Sequence, residues 1–466
     1  MNARSAHITS LFVAVVVAAL MLSCSGVRNL KQPSLDMPAE TVRGYADSLS
    51  YADLQWWEYY TDPTLKTLIG RALENNRDML AAAARVEELR QLYGVEKMNY
   101  MPTVTATAYG NKETNDYYGE NFKNDPEIGL KGSIRWEVDL WGALSYSKKQ
   151  AGATFMASVE DMRAMQMTVV AEVASSYFSL VALEKELDIV RMTLSTRREA
   201  LEKAKLRFEG GLTSETVYQQ AQVEYATTAA IIPDLERRIE VAKTGLSLLV
   251  GAFPGETFDL SHATLDENLP ERLPVGLPST LLERRPDIRA AEQQLKAALA
   301  ACGVAYSNRF PGVSIGLTGG WENDGVADLF KSPFSYLLGN ITGTIFDFGR
   351  NKRKYKAKIA AYEQARLNYE KCVLNAFREV NDAVVTYRKL REAATLRSSL
   401  RDVSLKYVEL ANIQYLAGTL NYIDVLDAQR RYFDARVSLS NAVRDEYLAL
   451  VNLYKVLGGG WTSGSE

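Results

Sequence analysis

Histidine is almost absent from this chain: among its 466 residues only His7 and His262 are histidines. Imidazole is a common metal ligand and general base, so its scarcity argues against a metal centre or a histidine-dependent active site. Three cysteines are too few for a disulfide scaffold or a four-cysteine zinc site. A formal net charge of −3 lacks the basic excess that binding to phosphate backbones requires, so no nucleic-acid partner is expected.

Proline is also scarce, with 13 residues, and none lies within residues 142–210 or 349–418. In both stretches apolar residues recur at steps of three, four and seven, which is typical of an amphipathic helix. Val169, Val173 and Tyr177 follow this spacing. A helix of about 70 residues spans on the order of 100 Å, far more than a bilayer, so both helices are expected to project into water. A coiled-coil stalk without a lumen is the alternative.

The N-terminus indicates export and lipidation. Residues 1–23 combine a short positively charged region with an apolar run over 11–22, the pattern of a secretory signal peptide. This run is shorter than the roughly 20 apolar residues of a transmembrane helix. Cys24 follows between two serines and resembles the cysteine of a bacterial lipobox, which predicts acyl chains on Cys24 and a lipidated segment over 24–60. A plain signal peptide with an incidental cysteine is the alternative.

The chain also repeats itself, because identical residues recur at constant offsets of 209 and then 207 positions. Such pairs include Glu74 and Glu283, Gly94 and Gly303, Gly211 and Gly418, and Gly251 and Gly458. Each repeat is predicted to contain a helix, two strands, a very long helix and a returning helix. The predicted divisions are repeat 1 over 61–251, a linker over 252–276, repeat 2 over 277–458 and a tail over 459–466.

Four segments alternate apolar and polar residues, and we predict a strand for each. They lie at 103–110, 130–140, 313–322 and 337–346, with loops at 111–126 and 322–333. Alternating segments of about ten residues are typical of transmembrane β-strands. A soluble antiparallel sheet packed on helices is the alternative.

The number of strands carries a consequence for assembly. Four strands cannot close a barrel, and an open sheet edge in lipid would leave backbone groups without hydrogen bonds. Several chains must therefore share one barrel. A dimer would give eight strands, whose interior side chains fill, whereas a trimer would give twelve and leave room for a pore.

Glycine-containing turns end both long helices. The first turn contains Gly211, Leu212, Thr213 and Ser214, and the second contains Gly418, Thr419 and Leu420. Glycine commonly ends a helix, while Ser, Thr or Asn can cap the next one. Pro233 is expected to kink or split the first returning helix, because proline removes a helical hydrogen bond.

Several motifs, in order, resemble those of the TolC/OprM-type outer-membrane efflux factors, the NodT-like outer-membrane efflux lipoprotein family. The longest are WWEYYTDPTLKTLIGRALENN at 56–76, LPSTLLERRPDIRAAEQQL at 277–295 and YIDVLDAQRRYFDA at 422–435. FPGVSIGLTGG at 310–320, DFG at 347–349 and LYKVLGGGW at 453–461 add to them. The resemblance covers residues 50 to 461.

This resemblance implies a mainly α-helical fold with transmembrane β-structure: a homotrimeric 12-stranded β-barrel, four strands per protomer, continued by a long periplasmic α-helical barrel. The protein would lie in the cell outer membrane as a passive export channel, not an enzyme, with no cofactor beyond the lipid on Cys24. Its seven turn residues, with Leu212 and Leu420 exposed, would dock on a periplasmic adaptor that links to an inner-membrane transporter.

Two carboxylates near the second turn are candidates for a gate. Asp424 and Asp427 lie three residues apart, on one face of a helix. A threefold axis would arrange them as rings that attract cations and repel one another. The resemblance assigns a periplasmic gate to Asp424 and Asp427, with Ile423 as its hydrophobic member. Solvated acids on a helix surface are the alternative.

Two other functions compete with a channel. A lipid-anchored trimeric coiled coil would act as a structural spacer without conductance and would not need amphipathic strands. A periplasmic hydrolase would use paired carboxylates as acid and base. The sequence contains no P-loop glycine motif, so an export channel would take its energy from partners.

Overall fold

The computed structural model describes residues 30–35, 50, 53–115, 123–256, 258, 265, 269, 274, 278–344 and 346–461. Cys24 and the predicted signal peptide lie outside the described residues, as does most of the predicted linker. Two compact units are distinguished. One comprises residues 1–35, 85–159 and 290–371, and the other 36–84, 160–289 and 372–466.

Apart from one short helix at the start of the first half and a 3₁₀ helix in the second, helices and strands follow one order in both halves of the chain. The first half contains α1 (Trp56–Tyr59), α2 (Pro63–Asn75), α3 (Arg77–Met98), β1 (Thr103–Asn115), β2 (Lys123–Val138), α4 (Ala143–Glu209) and α5 (Glu215–Leu249). The second half contains α6 (Pro278–Arg284), α7 (Pro286–Ser307), β3 (Gly312–Asn323), a 3₁₀ helix (Val326–Lys331), β4 (Pro333–Thr342), α8 (Arg350–Leu416) and α9 (Tyr422–Val456). Both long helices, α4 and α8, have 67 residues, and both returning helices, α5 and α9, have 35.

Equivalent hydrogen bonds also occur in the two halves. Asn76 donates from its side-chain amide to the carbonyl of Leu249 at 3.0 Å, and Arg285 donates from Nη1 to the carbonyl of Val456 at 3.2 Å. Each bond joins the residue before a helix of 22 residues, α3 or α7, to the end of a returning helix, α5 or α9. The duplication itself stays a prediction from the sequence, and these matched elements support it.

The four strands form one antiparallel sheet in the order β1-β2-β3-β4, with β1 and β4 at its edges. Leu130 pairs with Trp321, Ile134 with Leu317 and Trp136 with Ile315 across β2 and β3. All six side chains are exposed, so the sheet presents an open apolar face. A continuous exposed apolar face of this kind is typical of a surface that contacts lipid or another apolar partner.

The strand predictions were right in number and wrong at some ends. The β1–β2 hairpin continues until Asn115 pairs with Lys123, so the predicted loop at 111–126 is shorter than expected. Polar residues continue the ladder there because strand pairing depends on backbone groups, not on the alternation of side chains. β4 ends at Thr342 instead of residue 346, and its register is set by pairing with β3.

The apolar stripe of α4 lies in the core, as its spacing predicted. Val169, Val173, Tyr177 and Leu180 are each at most 2% exposed and belong to one cluster with residues of α2, α5 and α9. Among the described residues, α4 is also the one helix long and apolar enough to cross a membrane, with a mean hydropathy of 1.3 in its most apolar window. Since 61% of that window is buried, α4 has the character of a core helix.

Pro233 was expected to kink or split the first returning helix, and it does not split it. α5 runs unbroken from Glu215 to Leu249 with Pro233 inside it. The lost hydrogen bond is offset because the following turns bury Leu235 and Ile239 in the core.

Arg285, at the start of the second half, is a buried cation with two ion pairs and a hydrogen bond to a backbone carbonyl. Its guanidinium pairs with Asp287 at 2.6 Å and with Glu379 at 2.7 Å, and its side chain is 9% exposed. Burial lowers the pKa of Arg285, but the hydrogen bonds and charges of Asp287 and Glu379 outweigh this and raise it. The cation therefore stays charged and joins α7, α8 and α9.

We expect Arg285→Gln to lower the free energy of unfolding by about 3–5 kcal/mol, because it leaves part of a buried ion-pair network without its cation. Arg237→Gln is the matched control, since the ion pair of Arg237 with Asp234 is exposed and contributes at most about 1 kcal/mol. Chemical unfolding followed by circular dichroism measures both. Equal losses for the two variants would contradict a dominant role for the Arg285 network.

Candidate gate at the helix tips

Both long helices end in the same hydrogen-bonded glycine turn. Gly211 and Gly418 adopt φ values of +70° and +76°, a region that favours glycine. The N–H of Leu212 donates to the carbonyl of Arg207 at 2.8 Å, and the N–H of Thr419 donates to the carbonyl of Gln414 at 2.9 Å. These bonds close the last helical turn, so the chain reverses at a fixed angle in each tip.

The remaining turn residues differ between the tips. Leu212 is 73% exposed, as predicted. Leu420 was expected to be exposed but is only partly so, because it packs against the small cluster of Ala411, Val425 and Ala428. Ser214 precedes α5 without a side-chain capping bond, whereas the Thr419 hydroxyl donates to the carbonyl of Gln414 at 3.0 Å. Thr213 lines the groove described below.

Asp424 and Asp427 lie in the first two turns of α9, and each is bonded within its own tip. The backbone N–H of Asn421 donates to Oδ2 of Asp424 at 3.3 Å, which helps to cap the helix. Nε of Arg431 donates to Oδ2 of Asp427 at 2.8 Å and this bond raises the pKa of Arg431. Ile423, beside Asp424, is 55% exposed. The three candidate gate residues thus lie together at the start of α9, and both carboxylates are partly exposed.

An ion-pair triad centred on a buried glutamate lies next to them, and sequence reasoning missed it. Glu224 of α5 is 6% exposed. Its Oε2 lies 3.0 Å from Nη2 of Arg197 on α4, and its Oε1 accepts a bond from Nε of Arg430 on α9 at 2.6 Å. Glu224 therefore holds cations from two other helices.

The pKa values of the two arginines shift in opposite directions. Burial lowers the pKa of Arg197, while the hydrogen bond that Arg430 donates to Glu224 raises the pKa of Arg430. A signal for this site was present in the sequence, because Glu224 occupies a helical stripe between Ala221 and Thr228, both buried. Its partners lie 27 and 206 residues away, so no local pattern identifies them.

An apolar groove of about 600 Å³ lies between the two helical hairpins at the tips. Leu206, Val217, Leu416, Tyr422 and Val425 line it together with polar residues of α4 and α9. Val217 is the first-repeat counterpart of Asp424, so the two repeats present different chemistry at equivalent positions. Thr213 of the first turn also lines this groove, so the groove reaches that turn.

The sequence profile of the outer membrane efflux protein family matches residues 68–252 and 277–459. The chain belongs to the outer membrane efflux protein family. This efflux protein is accordingly located in the outer membrane and is a channel component of an efflux system. Its family consists of transport components, which leaves the hydrolase alternative without support.

Curated relatives align with this efflux protein over nearly their whole length. The solvent efflux pump outer membrane protein SrpC of Pseudomonas putida is 31% identical over 461 residues, covering 96% of this chain and 97% of SrpC. The probable outer membrane lipoprotein SilC of Salmonella typhimurium is 30% identical over 424 residues, covering 88% of this chain and 89% of SilC.

Solved structures of outer-membrane channels have the same fold. The OprN channel is 28% identical with a TM-score of 0.85, covering 92% of this chain and 99% of OprN. The open-state MtrE channel of Neisseria gonorrhoeae is 30% identical with a TM-score of 0.79, covering 92% of this chain and 97% of MtrE. A barrel of strands continued by helices agrees with these neighbours.

We expect Arg430→Ala to loosen the start of α9 much more than Arg431→Ala. The first variant removes a charged hydrogen bond from buried Glu224, so amide exchange near residues 422–432 should become roughly tenfold to hundredfold faster. The second removes an exposed pair with Asp427, so exchange should change by no more than about twofold. Hydrogen–deuterium exchange by mass spectrometry measures both. A similar increase in amide exchange in the two variants would contradict the role of the triad in holding the start of α9.

Proposed function

We propose that three copies of this efflux protein form one passive conduit across the outer membrane and into the periplasm. Three four-stranded sheets would join into a 12-stranded barrel, and the long helices would continue it as an α-helical barrel. The observation that carries the proposal is the open sheet, with its two unpaired edges and its exposed apolar face. A periplasmic adaptor and an inner-membrane transporter would supply the energy and select the cargo.

The sheet edges argue for a second and third copy. In lipid, each unpaired N–H and C=O of an edge strand costs several kcal/mol. β1 and β4 are both edges, so pairing β4 of one protomer with β1 of the next would satisfy both. On β4, Leu337 is 73% exposed and Ile341 is 77% exposed, as expected of side chains that face lipid in the closed barrel. Twelve strands leave an open lumen, which eight do not.

The long helices carry an apolar stripe that also fits neighbouring copies. On α8, Leu396, Leu400, Val403 and Leu410 are each at least 53% exposed, at steps of four, three and seven. This spacing is that of a helix-packing seam, and such a seam is stable in water when another helix covers it. A helix of the adjacent protomer is the proposed cover.

The gate is proposed at the start of α9. On a threefold axis, Asp424 and Asp427 would each form a ring of three carboxylates and Ile423 an apolar ring beside them. Their partial exposure and their place beside the tip support this role. The first-repeat counterparts Val217 and Gln220 are uncharged, so the charged rings would come from the second repeat alone.

The adaptor is proposed to dock on the two tips. The contact residues would be Gly211, Leu212, Thr213, Ser214, Gly418, Thr419 and Leu420. Exposed Leu212 and the apolar groove between the hairpins would receive apolar side chains of the adaptor. Leu420 would contribute mainly by holding the shape of its turn, since it already packs inside its own tip.

We expect Asp424→Asn with Asp427→Asn to reduce the cation selectivity of the channel, because the rings lose the negative charge that attracts cations. Asparagine keeps the size of aspartate and can still accept the bond from Asn421, so the helix start is preserved. The reversal potential in a planar bilayer under a salt gradient measures the change. Asp234→Asn with Asp402→Asn is the control, since both carboxylates are exposed and distant in sequence from the gate residues.

Unchanged selectivity in the gate variant would contradict the carboxylate rings. No conductance in either variant or in the natural protein would favour a spacer without a lumen. A monomeric mass in detergent would contradict the shared barrel.

We expect Cys24→Ser to abolish lipid attachment, because acylation requires the thiol. Several buried acyl chains, at about 0.8 kcal/mol for each methylene, would anchor the N-terminus stably. Mass spectrometry of the N-terminal peptide should show added lipid on Cys24 in the natural protein and none in the variant. Cys302→Ser is the control, because it also removes a thiol, but from a buried position. The lipid on Cys24 should remain in this variant. A natural protein whose N-terminal peptide carries an unmodified Cys24 would contradict the anchor.

A further inference from the structure

A dense group of cations begins α8. Six of its first nine residues are basic and exposed: Arg350, Lys352, Arg353, Lys354, Lys356 and Lys358, here called the basic collar. The equivalent nine residues of α4 contain only Lys148 and Lys149. The collar therefore belongs to the second half of the chain alone, and it is not a general requirement of a strand-to-helix junction.

The position of the collar is electrostatically unfavourable within the protein itself. The N-terminus of a helix carries partial positive charge and favours carboxylates. The first turn of α8 has no acidic residue, and the carboxylate at its start is that of Asp347, which accepts the backbone N–H groups of Gly349 and Asn351 at 2.9 and 2.8 Å. Within the described part of the chain, none of the six collar side chains forms an ion pair closer than 4 Å. Asp347 lies close enough to Arg350 to interact with it, so it offsets part of the charge of the collar. The remaining excess of positive charge favours an anionic partner outside the chain.

Aromatic residues surround the same junction. Phe346 and Phe348 are 72% and 87% exposed, and their rings are 4.5 Å apart. Trp141, which precedes α4, stacks on Phe310 at 4.7 Å and donates from Nε1 to the carbonyl of Pro311 at 2.6 Å. Tryptophan, with an apolar ring and a polar N–H, concentrates where a membrane meets water, and exposed phenylalanine supplies apolar area that can enter this interface.

The collar is also continuous with the lipid-facing strand. β4 exposes Leu337 and Ile341, ends at Thr342, and is followed by the aromatic pair and then by the collar. The order along the chain is therefore apolar strand, exposed aromatic pair and cations. This is the order of chemistry met on leaving a bilayer: acyl chains, interface and phosphate headgroups.

We propose that the basic collar binds the phosphate headgroups of anionic phospholipids in the membrane leaflet on the helical side of the barrel. Exposed Phe346 and Phe348 would enter the interface, while the flexible lysine and arginine side chains reach the phosphates. The collar would then fix the depth of the barrel in the membrane. This inference rests on the proposed insertion of the strands into lipid.

The test uses the full-length protein in detergent and native mass spectrometry with added lipid. Phosphatidylglycerol is compared with phosphatidylcholine of the same acyl chains. The collar variant is Lys352→Gln, Arg353→Gln, Lys354→Gln and Lys356→Gln. The matched control is Lys185→Gln, Lys203→Gln, Arg388→Gln and Lys406→Gln, which removes the same charge from exposed positions elsewhere on the helices.

The natural protein should prefer phosphatidylglycerol, and the collar variant should bind it on the order of tenfold more weakly. The control variant should bind as the natural protein does, and added salt should weaken binding by the natural protein because it screens exposed charges. Equal binding by the collar variant, an equal loss in the control, or insensitivity to salt would overturn the proposal.

Two further measurements distinguish lipid binding from a soluble anion site and from failure of the shared barrel. Glycerol phosphate, which has no acyl chains, should not displace the bound lipid, and displacement at equal concentration would show a soluble anion site instead. The same spectra report the oligomer. A trimer without a lipid preference would contradict lipid binding by the collar and leave the shared barrel standing. A monomer that keeps the preference would contradict the shared barrel and leave lipid binding by the collar standing.

Discussion

Backbone hydrogen bonding in lipid is the constraint on which this protein depends. A sheet of four strands has two edges, and a bilayer offers no water to satisfy them. The apolar face formed by the Leu130–Trp321 and Ile134–Leu317 pairs has no cover within the sheet and fits lipid. The two unpaired edges make the isolated sheet unstable in a membrane, and pairing them with other copies removes that cost while the apolar face stays in lipid. The proposed trimer follows from that need and not from any single contact.

The helical part, which is proposed to project into water, needs a core of its own. α4 provides one by burying Val169, Val173 and Tyr177 against three other helices. Polar interactions then fix how these helices meet. The Arg285 network joins α7, α8 and α9, and the Glu224 triad joins α4, α5 and α9 near the tip. Opening of the proposed gate would have to act against the Glu224 triad, because this triad holds the start of α9 to α4 and α5.

The tip region shows how closely stability and function are combined. Asp424 caps the helix that it begins, and Asp427 pairs with Arg431 four residues on. These bonds are local and exposed, so they stabilise weakly and leave the carboxylates able to face a lumen. Glu224 is different, because its burial makes the loss of a partner costly. In the proposed gate, opening at the tip would therefore depend on the triad more than on the carboxylates of Asp424 and Asp427.

The sequence by itself determined the elements and their order. Alternation identified four strands, the lack of proline in 142–210 and 349–418 predicted two helices that prove to have 67 residues each, and glycines located both tips. These features are local, and local spacing and backbone freedom decide them. Only the tertiary structure placed β2 beside β3, extended the first hairpin, kept α5 whole across Pro233 and turned Leu420 inward. It also brought Glu224 to Arg197 and Arg430, because such contacts join residues far apart in the chain and depend on how whole helices pack.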